Sequence, residues 1–285
     1  MVLLNVICVI SMKKKQKYYS YSQLNTFHNC PQKYKIIYID KIKSNNESIE
    51  AFVGKRVHET LDWLYSNLEN NDFVSFDRIV DKFNDLWNQK WHDYIYVAKN
   101  PYKKVNVDYL NKNNYKKVAI NNLSLFYNKY FDYSNDNNIF TEMNIEMKIE
   151  EFKFKGIIDR LDIGKDKINI IDYKTGKTKL KLTLMDKLQL FIYQLAIEEK
   201  YKNKEIYLNW IYVNNKNIQY EIVLNNRSKD KLKNKLLSLV KQIDESIASN
   251  QFPWKESLLC NWCYYWSHCK GKKELNEKNS AINLK

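Results

Sequence analysis

The sequence predicts an α/β fold in which a mixed central sheet is flanked by helices and preceded by a mainly helical region. Three observations predict it. Up to about residue 133, apolar and aromatic residues recur at helical spacing; from Glu142 they recur at every second residue; beyond that, strands, a helix, a hairpin and a last helix follow in turn. A chain of 285 residues with 44% hydrophobic content can bury a sizeable core. We expect one domain over residues 18–275: 18–135 mainly helical, 140–225 sheet and helix, 226–275 helix and cysteine segment. An extension, 1–17, precedes it and a polar tail, 276–285, follows.

Met1 to Ser11 is apolar but too short to span a bilayer, and Met12 with Lys13-Lys14-Lys15 resembles a second start, so the extension and its Cys8 are left out of the functional reading. Ser20 or Ser22 can cap a helix running through Leu24 and Phe27 to Cys30, and Pro31 can open another carrying Tyr34, Ile37 and Tyr38. Ser48 to about Asn67 reads as a helix with Phe52, Val57, Leu61 and Leu64 on its buried side and His58 in its middle. Two more helical stretches, roughly Phe76 to Tyr96 and Val107 to Tyr133, carry aromatic stripes of the kind that build cores.

The period then changes. Met143, Ile145, Met147 and Ile149 alternate with polar residues as in a half-buried strand from Glu142 to Glu150. Phe152 to Ile163 and Ile168 to Tyr173 read as strands joined by a Gly164-Lys165-Asp166 turn. Thr183 to about Tyr201 reads as a helix, Ile206 to Val213 with Ile218 to Leu224 as a hairpin, and Ser228 to Ser249 as an amphipathic helix.

Four of the five cysteines form a split set: Cys30 alone, then Cys260-x2-Cys263-x5-Cys269. Thiolate quartets hold zinc or iron–sulfur clusters. A zinc ribbon usually shows two CxxC pairs, so the one-plus-three pattern leans toward iron and sulfur; four unrelated buried cysteines are the plainer alternative. Disulfides fit a chain without a secretion signal poorly, and a cytoplasmic location is expected. Trp262, Tyr264, Tyr265 and Trp266 would shield such a cluster, base stacking being the other use for them. The charge of +14 favours an anionic partner, nucleic acid first, although the Lys, Asn, Ile and Tyr usage of an AT-rich genome explains part of it. No segment of transmembrane length is seen, and a membrane role is not expected.

The scarce residues mark the chemistry. Gly54, Gly156 and Gly176, and Arg56 and Arg160, each lie within a few residues of a candidate site residue. Asp159 ends the run Gly156-Ile157-Ile158, Asp172 ends Ile168 to Ile171, and Lys174 follows two residues on, facing the same way as Asp172. If the strands pair, both carboxylates converge at one sheet end, where two hard oxygen donors suit magnesium and the acidification of an attacking water. Lys174 could orient that water or stabilise charge on a phosphate. Any single Asp after a strand is more commonly a turn residue; the set together is not so easily explained. Glu142 could approach the site or be an edge charge; Glu59 faces elsewhere on the helix of His58; His28, His92 and His268 receive no role.

Gly156-x2-Asp159-Arg160 followed by Asp172-Tyr173-Lys174-Thr175-Gly176 resembles the PD-(D/E)xK nuclease superfamily in its RecB-like branch. Gly54-x3-His58-Glu59 is similar to that branch's histidine motif and Gln189-x3-Tyr193-Gln194 to its QxxxY motif; the i, i+4 spacing puts Gln189 and Tyr193 on one helix face. Tyr21-Ser22-x-Leu24-x2-Phe27-x2-Cys30-Pro31 with the late cysteine triplet resembles the iron–sulfur nucleases of AddB and the CRISPR adaptation exonucleases. The resemblance covers about Tyr18 to Cys269, with Asp172 where Glu is the commoner acid.

It implies a restriction-endonuclease-like sheet, with the termini joined by a 4Fe-4S cluster on Cys30, Cys260, Cys263 and Cys269. It implies Mg2+ or Mn2+ held by His58, Asp159, Asp172 and the Tyr173 carbonyl, water activation near Lys174, and strand positioning by Gln189 and Tyr193. The expected activity is a metal-dependent deoxyribonuclease, an exonuclease on single-stranded or frayed DNA ends, in repair, recombination or a CRISPR adaptation complex. The rival is a silent nucleic-acid-binding or assembly module of the same fold, against which the intact Asp159, Asp172, Lys174 and His58 set argues. No Walker-type run accompanies the motifs.

Overall fold

The computed structural model describes residues 18–68, 74–98, 111–132, 137–272 and 281–283. The extension 1–17 with Cys8, and the start and last residue of the helix expected from Val107 to Tyr133, lie outside them. The elements are β1 (Tyr18–Tyr19), α1 (Tyr21–Asn29), α2 (Pro31–Tyr34, continued by a π-type turn Lys35–Ile39), β2 (Glu47–Ser48), α3 (Ile49–Leu68), α4 (Phe76–Lys90), β3 (Ile95–Ala98), α5 (Lys112–Tyr130), β4 (Asn138–Ile149), β5 (Phe152–Ile163), β6 (Lys167–Lys174), α6 (Leu184–Lys200), β7 (Glu205–Tyr212), β8 (Gln219–Ile222), α7 (Asn226–Ser249) and β9 (Ala281–Asn283). Of the two candidate caps of α1, Ser20 is the one used: its side chain accepts from the Gln23 N–H while the Gln23 side chain accepts from the Ser20 N–H.

Two expectations are corrected. The helix expected from Phe76 to Tyr96 stops at Lys90, where Trp91 turns extended, and Ile95–Ala98 is instead a strand. The aromatic spacing runs on past Trp91, but Ile95 and Tyr96 gain burial by pairing with β2. The resulting small sheet β2-β3-β9, with β9 inside the expected polar tail, has no counterpart in the sequence reading. The other correction is small: α5 ends at Tyr130, with Phe131 as its extended cap.

The main sheet has the order β1-β5-β6-β7-β8, with β4 on the other edge of β5. It is mixed: β6 and β7 are parallel, while β4, β5 and β6 are antiparallel neighbours. One core lies between the sheet and α1, α6 and α7, built around Phe154, Ile158, Ile170, Leu190, Phe191 and Leu236. The other lies between the sheet and α3, α4 and α5, around Phe52, Leu61, Phe83, Phe126 and Tyr173. Helices thus cover both faces, as β6's near-continuous apolar run requires.

Two irregularities open this sheet in one place. β1 pairs with Lys153 and Phe154, and β6 with Arg160 to Ile163, along the same edge of β5, so residues 155–159 have no strand partner on that side. In addition, β4 and β5 exchange faces. Ile145, Met147 and Phe154, Ile158 pack in the first core, whereas Ile139, of the same parity as Ile145, packs in the second. Glu142 is where the exchange occurs: its φ is 45°, and the ladder lacks the pair it would form with Asp159, although register is the same before and after. A positive φ in a non-glycine strand residue costs on the order of 1–3 kcal/mol, and the paired strands on both sides hold it in place.

Candidate active site

The opening between β5 and β6 gathers the charged residues. Pairing of the two strands ends at Arg160 and Ile171, so Asp159 and Asp172 are the first residues to part. Asp159 keeps the junction closed with its side chain: Oδ2 accepts the Tyr173 N–H at 2.8 Å, where a strand carbonyl would otherwise serve. The same oxygen lies 3.4 Å from Nδ1 of His58, midway along α3. Ligand atoms of His58, Glu142 and Asp159 all fall within 4.8 Å of one another, one nitrogen and two carboxylates converging as divalent-metal ligands do. Glu142 is therefore part of the site. Sequence alternation hides this, because nothing in a regular period-two pattern signals a left-handed residue; its position opposite Asp159 follows only from the register.

Asp172 faces the first core and is 1% exposed. Lys174 Nζ stands 2.5 Å from its Oδ2 in an ion pair and donates to Gln189 Oε1 at 3.0 Å. Gln189 in turn donates to the Tyr193 hydroxyl at 3.2 Å, one turn along α6. Asp172, Lys174, Gln189 and Tyr193 thus form one connected row. The Tyr193 ring lies so close to β5 that only glycine fits opposite it: a Cβ on Gly156 would sit 2.6 Å from Tyr193 Cε1. Tyr173 points the other way, its ring edge-on to His58 at 6.0 Å and to Phe126 at 5.6 Å. Beneath it Arg160 is buried, paired bidentately with Asp162 at 2.6 Å and lying 3.7 Å above the Tyr65 ring. Arg56, also buried, is held by Glu59, so neither acts on the opening directly.

Crowding of charge shows in the titration of the site. Burial pushes Asp172 up to about 6, with Asp159 adding to the shift and Lys174 opposing it. Burial works against a charged His58 and a charged Lys174, but the carboxylates outweigh it and raise both. Glu142 is raised by burial and by Asp159. Three carboxylates set against the Lys174 ammonium leave negative charge that a metal would relieve, and the donor set of two carboxylates and an imidazole fits a hard divalent ion.

At the other end of α1 the cysteines also converge. Cys30, between α1 and α2, lines one cavity of about 250 Å³ with Cys260, Cys263 and Cys269. The chain ends meet here, with the Gln32 N–H donating to the Pro253 carbonyl and Tyr34 stacked on Phe252. Two 3-10 turns, Leu258–Trp262 and Trp266–His268, aim the thiols, and the Trp266 indole donates to the Cys260 carbonyl at 2.8 Å. Trp254, Trp262 and Trp266 wall the cavity, with Trp254 seated so close to Gly271 that a Cβ there would lie 2.4 Å from its ring. Burial and the neighbouring thiols push Cys263 up, while Lys33 holds it down. Among the described residues no helix is long and apolar enough to cross a membrane.

Comparison with known proteins agrees with this geometry. A solved structure of a candidate exonuclease from Eubacterium rectale superposes with a TM-score of 0.53 at 12% identity, over 93% of this chain and 94% of that one. At such identity the likeness is one of fold. A second solved structure, SSO0001, has 17% identity over 85% of this chain and 95% of its own, with a TM-score of 0.32. No curated protein matches the sequence significantly. The sequence profile of the PD-(D/E)XK nuclease superfamily matches residues 18–270, which include every residue of the opening and all four cysteines of the cavity. The chain belongs to the PD-(D/E)XK nuclease superfamily.

Proposed function

We propose that this nuclease hydrolyses DNA with Mg2+ or Mn2+, as an exonuclease on single-stranded or frayed ends. The observation that carries the reading is the β5–β6 opening, where His58, Glu142 and Asp159 converge beside the Asp172, Lys174, Gln189 row. His58, Asp159, Asp172 and the Tyr173 carbonyl would hold the ion, joined by Glu142, which the motifs alone do not include. The ion supplies Lewis-acid polarisation of the phosphodiester and a more acidic bound water.

The protein's own groups do the rest. Lys174 keeps its proton, since the carboxylates around it raise its affinity for one. It acts as an ammonium, countering charge that develops on the phosphate, and is fixed by Gln189. Tyr193, buried against Gly156, sets the distance of Gln189 from the strand end. Gln189 and Tyr193 share one wall with Ser20, Ser22, Asn144 and Lys155 in a cavity of about 440 Å³, room for the strand being cut.

The cavity lined by all four thiols would hold a 4Fe-4S cluster, each thiolate binding a different iron, and the one-plus-three spacing of the cysteines favours this over zinc. Lys33 and Lys272 on the cavity wall would offset its negative charge.

Anaerobically purified protein incubated with labelled linear and circular single-stranded DNA and Mn2+ tests the activity. Linear DNA should be degraded and circular DNA spared. Asp172→Ala and Lys174→Ala should each lower the rate about 10³-fold with the fold retained by circular dichroism. Full activity in either variant sinks the mechanism, and DNA binding without cleavage by the wild type would favour the silent module. A role in repair, recombination or CRISPR adaptation would then rest on which ends are preferred.

A further inference from the structure

The segment between β6 and α6 carries a side chain the fold does not use. Leu180 is 95% exposed, more than any other large apolar residue among those described, while Leu182 two residues on is buried. A single exposed leucine is ordinary on a protein surface, so its use turns on how the loop holds it and on what surrounds it.

The loop is not slack. Asn214, itself buried, donates from Nδ2 to the Gly176 carbonyl at 2.7 Å and to Thr178 Oγ1 at 3.0 Å. The Tyr220 hydroxyl donates to the Lys179 carbonyl at 2.6 Å. Lys179 Nζ pairs with Asp186, the residue that closes the Thr183 capping box of α6. Both flanks of Leu180 are therefore tied to the scaffold, and the side chain is held out rather than loosely disposed.

Charge and position identify what it meets. Lys177, Lys179 and Lys181 are exposed and alternate with Thr178 and Leu180, and Asp186, the acid beside them, is paired with Lys179. The loop leaves the strand end directly after Lys174, and Tyr212, which pairs with Lys174 in register, faces the main chain of Lys179 with its hydroxyl. An apolar tip between cations, beside the cleavage site, matches a duplex end: phosphates for the lysines and the outermost base step for the leucine. Apolar side chains inserted at base steps unstack them.

We propose that Leu180 is a wedge that enters the terminal base step of duplex DNA while Lys177 and Lys181 hold the backbone, so that one strand is freed into the opening between β5 and β6. The inference rests on the DNA-nuclease reading and extends it to how frayed ends are made. Lys179 is a positioning residue here, since its charge is spent on Asp186.

The test compares wild type, Leu180→Ala and Leu180→Phe on a short blunt duplex and on the same labelled strand alone. Leu180→Ala should lower the ratio of duplex to single-strand cleavage about tenfold, the cost of one unassisted unstacking event, and Leu180→Phe should preserve it. With 2-aminopurine in the terminal pair and Ca2+ in place of Mn2+, binding of wild type should raise fluorescence and Leu180→Ala should not. An unchanged ratio together with equal fluorescence overturns the wedge, as does a wild type that cuts single strands and leaves the duplex intact. If neither DNA is cut, the nuclease reading fails, while the fluorescence comparison still decides the wedge. Equal melting curves of the three proteins, expected because Leu180 packs against nothing, exclude misfolding.

Discussion

The opening between β5 and β6 and the cysteine cavity are both clusters of metal-ligating groups, yet they are built on opposite terms. In the opening, carboxylates crowd together against their own repulsion, Asp172 is buried with its affinity for a proton raised, and Glu142 holds a left-handed backbone within a strand. In the cavity, thiols sit among tryptophans at the meeting of the two chain ends, with lysines at the wall. The first arrangement stores unfavourable free energy in a fold that should stay intact without it; the second, with the proposed cluster bound, would supply a link between distant parts of the chain. Residues removed from the opening should therefore cost activity and not stability, and residues removed from the cavity should cost stability first.

The largest effect on stability is expected in the cavity. Cys260→Ala would remove one thiol of the proposed cluster between α1, α2 and the segment after α7, and should destabilise the protein by about 3 kcal/mol with loss of the visible absorbance such a cluster gives. Chemical denaturation and a visible spectrum, run side by side, check this. A colourless, zinc-containing wild type, or a Cys260→Ala protein as stable as wild type, would remove the distinction between the two regions.

The second effect has the opposite sign. Asp172 ionises near 3.8 when unfolded and near 6 in the fold, so the folded protein binds this proton more tightly. Its contribution favours folding below about pH 4 and is lost as pH rises through 6, with no further change above. Asp172→Asn, which cannot ionise, should thus be more stable than wild type by about 3 kcal/mol at pH 7.5 and nearly equal to it at pH 3. Urea midpoints at the two pH values measure it. Saturating Mn2+ should narrow the gap by stabilising the wild type alone. A gain of the same size at both pH values would mean that packing, not charge, is responsible.

What the sequence discloses divides along the same line. Period-two and helical spacings place β5 from Phe152 to Ile163 and α6 after Thr183, and thereby the row of Asp172, Lys174, Gln189 and Tyr193, since strand parity and i, i+4 spacing are local properties. The convergence of Cys30 with the late triplet is legible for another reason, the scarcity of such thiol spacings. For Glu142 the sequence leaves two uses open, approach to the site or an edge charge, because its place opposite Asp159 depends on two strands changing faces together. Not legible at all are β1, β2 and β9, whose two or three residues owe their conformation to partners far along the chain.

The smallest effect probes the point at which the opening leans on the core. Gly156 has no strand partner on the β6 side of β5, and the Tyr193 ring of α6 lies against its face of the sheet. An added methyl would meet the ring edge at 2.6 Å, and a ring 5% exposed within packed neighbours yields little. Gly156→Ala should therefore cost about 1 kcal/mol in stability, as modest overpacking does. It should also lower cleavage about tenfold by moving Gln189 away from Lys174, a displacement of the kind that misaligns reacting groups. Tyr193→Leu separates the two causes. If the ring is the obstacle, Gly156→Ala should cost almost nothing once Tyr193 is Leu, giving a coupling of about 1 kcal/mol between the positions. Equal costs in both backgrounds would show that the strand itself resists the side chain, and the support of the site would then lie in β5 and not in α6.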